Sequence, residues 1–162
     1  MGKNTASAPT ADITPRLRAE RDALKEFVAL LETEQQTLLD GHPEQLSTLA
    51  NSKIQAAHEL SKMANTRRND LLAHGAIAES GGITAWLQAH TPGNLPVWLD
   101  IQQLAEQAQH LNRTNGMLIQ SKLRHNQQAL AVLQNAAHST NGLYGPDGQP
   151  HLPTSGRTLG SV

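Results

Sequence analysis

Apolar residues recur along this chain at spacings of three and four, the period that gathers side chains on one side of an α-helix. Leu17, Leu24, Leu31 and Leu38 come every seven residues, with Phe27 and Val28 filling the alternate position. That is a seam of coiled-coil type. The opposite side carries Arg18, Glu26 and Glu32, so a first helix over residues 15–40 is expected to bury one face only. Thr14 and Pro15 supply its start signal, a capping residue and then proline in the first turn. Asp40-Gly41-His42-Pro43 ends that helix and opens another, and so short a break predicts an antiparallel hairpin. The second helix, 43–74, carries Leu46, Leu49, Ile54, Ala57, Leu60, Ala64 and Leu71 on its apolar side. Alanines at 50, 56, 57 and 64 let two backbones approach closely. Lys53 and Arg67 fall near the seam, where their stems can cover apolar surface while the charges reach water.

Between Gly75 and Gly93 the pattern is interrupted by Gly75, Gly81-Gly82 and the turn Thr91-Pro92-Gly93-Asn94, around a short helix over 83–90. Trp86 and Trp98 flank that turn and are expected to pin the connector against the end of the bundle. A long helix follows over 97–138, capped by Asn94. At 1.5 Å per residue it spans about 63 Å, against about 39 Å and 48 Å for the first two. Ile101, Leu104, Ala108, Leu111 and Leu118 lie on one side of it. Beyond Gly116 the stripe changes phase, to Ile119, Leu123, Leu130 and Leu133, so one helix offers two apolar faces. Gly116 costs about 1 kcal/mol relative to alanine in a helix interior, which a close helix approach or a bend would offset. After His138 five glycines and three prolines in 24 residues leave a flexible tail over 139–162. Residues 1–13 read as a disordered arm. The expected fold class is therefore all-α: an elongated antiparallel helical hairpin or coiled-coil bundle of three main helices, with a short connector helix and a flexible C-terminal tail.

Composition narrows the function. At 162 residues the chain is most economically one domain. A formal charge of -1 and a pI of about 6.7 give no electrostatic ground for binding nucleic acid or an anionic membrane. The absence of cysteine excludes disulfides, thiolate zinc sites and a cysteine nucleophile. Apolar runs such as Phe27–Leu31 are far too short to span a membrane, and the start of the chain has neither a signal-peptide core nor a myristoylation pattern. A cytoplasmic protein without membrane insertion is expected. With one Phe, one Tyr and two Trp, the core must be built from aliphatic residues, which suits helix-on-helix packing. None of the eight histidines stands three or four residues from another, and no Glu precedes a His by three. Neither two-histidine nor Glu-x-x-His metal sites are therefore present. No phosphate loop or nucleophile motif stands out, and the chain is expected to be neither an enzyme nor a cofactor protein.

Three runs together are more specific. These are Leu111-Asn112-Arg113-Thr114-Asn115-Gly116-Met117-Leu118-Ile119, then Asn126-Gln127-Gln128-Ala129-Leu130, then Leu143-Tyr144-Gly145-Pro146-Asp147-Gly148-Gln149. With the Gly-His-Pro break and the leucine seam, they resemble the FlgN family of flagellar export chaperones. The resemblance implies a cytoplasmic, substrate-specific chaperone of the flagellar type III export system. Such a protein holds the hook–filament junction proteins FlgK and FlgL before export and delivers them to the export-gate component FlhA. It further implies that the C-terminal part of the long helix receives a terminal helical segment of the cargo, through Asn115, Leu118, Ile119, Leu123, Asn126, Leu130 and Leu133. Leu143, Tyr144, Gly145 and Asp147, in the tail motif, would dock on the gate. The residues alone leave the second stripe open between a cargo helix bound in a groove and burial within the monomer or a homodimer. A structural homo-oligomeric coiled coil without cargo is the alternative function.

Overall fold

A computed structural model of the chain describes residues 13–76 and 81–141, with side chains up to His138. Among them are four α-helices, α1 (Thr14–Asp40), α2 (Pro43–Ala73), α3 (Gly82–His90) and α4 (Leu95–Asn141), with a 3-10 turn at Pro92–Asn94 and no strand. The all-α expectation holds. Helix α4 starts two residues earlier than expected, taking Pro96 into its first turn, and runs three residues past His138. The chain divides into two compact units at the Leu118–Ile119 junction, which lies within α4.

In the first unit, α1 begins at Thr14 instead of being capped by it. Ile13, expected in the N-terminal arm, takes the cap position without a side-chain cap bond, and its own side chain is buried; the rest of that expected arm lies outside the described residues. At the other end Gly41 adopts φ 78°, and its N–H donates to the Thr37 carbonyl. That left-handed backbone is one that residues with a Cβ adopt at a cost.

Leu17, Leu24, Leu31 and Leu38 are all buried, as the heptad requires. The alternate layer is different. It holds Glu20, Phe27 and Glu34, and both carboxylates are buried. Lys53 Nζ donates to Glu34 Oε1 at 2.6 Å, and the Arg67 guanidinium donates to Glu20. The expectation that these cations merely cover apolar surface is thus corrected: each is committed to a buried carboxylate on α1. The glutamates lie 14 residues apart on α1 and their partners 14 apart on α2, in reverse order. This sets the helices antiparallel and in one register over two heptads. An exposed third pair, Arg16 with Asp70, continues it.

The inward face of α2 follows from that register as Leu46, Leu49, Lys53, Ala56, Leu60, Met63 and Arg67, all partly buried at alternating spacings of three and four. Ile54, expected on this face, is 67% exposed. It follows Lys53 directly and so points about 100° away around the helix. Ala57, another of the expected set, is exposed too.

The connector packs as expected. Trp86 and Trp98 are buried in one core cluster with Ile13, Leu17, Leu71 and Leu87. Each indole N–H is satisfied: Trp86 donates to the His74 carbonyl at the end of α2, and Trp98 to Thr84 Oγ1, both at 3.0 Å. Trp86 also stacks on His90 at 4.6 Å between ring centroids.

On α4, Ile101, Ala108 and Asn115 are buried at seven-residue intervals, with Leu104, Leu111 and Leu118 half-buried between them. Gly116 is exposed, and a Cβ built there meets nothing within 4 Å. A close approach by another helix of the chain itself, among the described residues, is therefore not what keeps this glycine. Gly116→Ala is expected to raise stability by about 0.5–1 kcal/mol, seen as a higher thermal midpoint by circular dichroism with unchanged far-UV shape.

Candidate functional site

Two groups of side chains on α4 fall where the sequence points, one in each unit. The first centres on Asn115, which is 0% exposed. Its Nδ2 donates to the Leu31 carbonyl and to Glu34 Oε2, each at 2.8 Å. Glu34 thereby receives Lys53 on one oxygen and Asn115 on the other, linking α2, α1 and α4. Asn115 Oδ1 is buried without a hydrogen-bond partner among the described residues. Asn115 was expected to face cargo, and the structure corrects this: its amide is spent on α1. A buried polar residue at a heptad core position favours one register over its neighbours, and that is the role this geometry gives Asn115.

A second polar contact closes the same body nearer the connector. Arg67 pairs with Glu20 and lies over the Trp98 ring, 4.7 Å from its centroid. Burial pushes the Glu20 carboxyl above its ordinary value, and the Arg67 charge and hydrogen bond only partly oppose this. Between the unfolded value of 4.5 and the raised folded one, the native state holds a proton that the unfolded chain releases. Stability contributed by Glu20 therefore falls as pH rises through that window. Glu20→Gln is expected to flatten the pH dependence of the urea midpoint just above pH 4.5. An unchanged slope there would count against it.

The second group lies in the other unit. Every residue from Ile119 to His138 is exposed. Ile119, Leu123, Asn126, Leu130 and Leu133 recur at spacings of four and three, and so share one side of the helix. The four apolar members are 43%, 57%, 58% and 65% exposed. Lys122 and Arg124 are the only charged residues in the segment, and amides fill most of the remaining polar positions. Leu118, the other expected contact, is half-buried in the first unit. Leu143, Tyr144, Gly145 and Asp147 lie outside the described residues.

The arrangement offers area, not reactive groups. Burying a side chain of this kind is worth about 1.5–3 kcal/mol, so a stripe of four provides a strong apolar contact for a helix laid along it. Among the described residues, no group of three or more His, Cys, Asp or Glu is placed to hold a metal ion, and no helix is long and apolar enough to cross a membrane.

The chain also has recognisable relatives among known proteins. The family model for FlgN protein matches residues 10–151. The flagella synthesis protein FlgN of Yersinia enterocolitica serotype O:8 / biotype 1B (strain NCTC 13174 / 8081) is 32% identical, over 70% of this chain and 86% of its own. A second flagella synthesis protein FlgN, from Yersinia enterocolitica, is 31% identical over 65% of this chain and 83% of its own. No solved structure gives a significant match.

Proposed function

The chain belongs to the FlgN family of flagellar assembly chaperones, and on that premise we propose that it is a cytoplasmic export chaperone for the hook–filament junction proteins FlgK and FlgL. It binds a terminal helical segment of the cargo and delivers it to the export-gate component FlhA. The observation that carries this reading is the stripe Ile119, Leu123, Leu130 and Leu133, exposed to water on a helix. An amphipathic cargo helix removes it from water at the cost of ordering the partner. Asn126 lies within the stripe and Leu118 at its N-terminal end, and both complete the cargo surface, while buried Asn115 positions the helix from within. No step of this role requires a cofactor or a catalytic group.

The direct test is co-purification with FlgK or FlgL, or with their isolated C-terminal segments. Deleting residues 119–138 should remove that binding while the rest of the chain stays helical. The tail is tested separately. Tyr144→Ala is expected to weaken capture of FlhA about tenfold, as for loss of a contact aromatic, and to leave cargo affinity near wild type. Equal loss of both, by titration against each partner, would mean that the tail motif has been assigned the wrong partner.

A further inference from the structure

We propose that Gly116 is a contact residue for cargo, kept bare so that the bound helix can lie directly against the backbone of α4. This rests on the cargo role proposed for the stripe. Nothing within the described residues accounts for a glycine at this position. It lies in the interior of α4, where glycine is among the least favourable residues. It is not one of the glycines with positive φ, which are Gly41, Gly75 and Gly81, so the backbone does not demand it. A Cβ there would meet no atom within 4 Å, so no neighbour in the chain demands it either.

Two seams run along α4, one residue apart. Ile101, Leu104, Ala108, Leu111, Asn115 and Leu118 face the body. Gln102, Ala105, Gln109 and Asn112 each stand one position later, about 100° around the helix, and are exposed. These four form the α4 wall of an open groove of about 470 Å³, floored by Leu24 and Phe27 of α1. Their alternation of three and four continues without a break through Gly116 to Ile119, Leu123, Asn126, Leu130 and Leu133. Gly116 therefore belongs by phase to the cargo stripe, one turn before Ile119. Helix axes ordinarily pack 8–10 Å apart, a distance set by the side chains at the contact. Where one helix offers bare backbone its partner can come closer and add Cα–H···O contacts. The cargo that fits is an amphipathic helix with large aliphatic residues against the stripe and a small residue, Gly, Ala or Ser, where it crosses Gly116.

The test uses the full chain. Gly116→Ala and Gly116→Leu put strong helix formers into open space, so both should keep the wild-type far-UV circular dichroism and melt at a higher temperature. Binding should move the other way. By isothermal titration against the FlgK and FlgL C-terminal segments, the dissociation constant should rise about fivefold for alanine and at least about fiftyfold for leucine. Ser121→Ala, on the side of α4 away from the stripe, also raises helix propensity and should bind as wild type. In the cargo segment, small residues changed to leucine one at a time should reveal one position whose loss is not additive with that of Gly116→Leu. Unchanged or tighter binding by the Gly116 variants, equal weakening by Ser121→Ala, or additivity at every cargo position each overturns the proposal. So does a Gly116 variant that alters only the chain's own sedimentation, which would assign the glycine to a second copy. Failure of the cargo role is read separately, in Leu123→Asp with Leu130→Asp. Unchanged affinity there removes the stripe, whereas lost affinity there beside wild-type binding in the Gly116 variants removes only the role of Gly116.

Discussion

Leu123→Asp combined with Leu130→Asp is expected to lower cargo affinity by about a hundredfold or more, with the body still folded. The two leucines stand seven residues apart on one side of α4 and are 57% and 58% exposed. In the free chain the substitutions therefore cost little beyond helix propensity, about 0.5 kcal/mol each. In the complex each would press a carboxylate into an apolar contact, where an unpaired charge is far from tolerated. Isothermal titration with the FlgK and FlgL C-terminal segments reads the affinity, and far-UV circular dichroism reads the fold. Gln128→Asp, on the opposite side of the same helix, is the matched control and should bind as wild type. Unchanged affinity in the double variant would falsify the assignment of this stripe to cargo.

Asn115→Asp should have the largest effect on the body, lowering stability by about 3–5 kcal/mol at neutral pH. The substitution is nearly isosteric, so packing is kept and the change is electrical. Two donated hydrogen bonds, to the Leu31 carbonyl and to Glu34 Oε2, become contacts between oxygens. A second carboxylate also enters a fully buried site beside Glu34. Burial and the neighbouring charge raise the folded-state pKa of the new acid above its unfolded value of about 3.9. As pH falls through the raised value the native state takes up a proton, and part of the lost stability returns. Denaturant melts at several pH values test both the depth and the sign. Asn112→Asp, exposed three residues earlier, should change little. A loss below about 1 kcal/mol at Asn115 would show that the amide is not holding α4 to α1.

Much of this architecture can be read from spacing alone. The leucines at 17, 24, 31 and 38 repeat every seven residues and are buried, and two large indoles flanking one turn do pin it. What spacing hides is the chemistry of the alternate layer. Glu20 and Glu34 sit three residues after Leu17 and Leu31, as Phe27 sits three after Leu24, but a charged side chain reads as solvent-facing. Only the coincidence of Lys53 and Arg67 at the matching interval on α2 reveals them as seam residues. Ile54 misleads in the opposite sense, since its hydrophobicity suggests burial while its phase places it beside the seam. Asn115 is ambiguous because a motif asparagine reads equally as a surface contact, until its place seven residues after Ala108 is given weight. The exposed stripe was visible through its change of phase at Gly116, although the glycine itself has no packing partner.

The two buried charge pairs of α1 and α2 act as a frame-shift check on the hairpin. Sliding one helix past the other by a single heptad returns seam positions to seam positions, so the seven-residue spacing alone would tolerate the slip. Such a move would set Glu34 against Leu46 in one direction and against Leu60 in the other, with Lys53 left without its carboxylate. Misaligned hairpins therefore carry stranded buried charge, a penalty that the leucine spacing by itself does not impose.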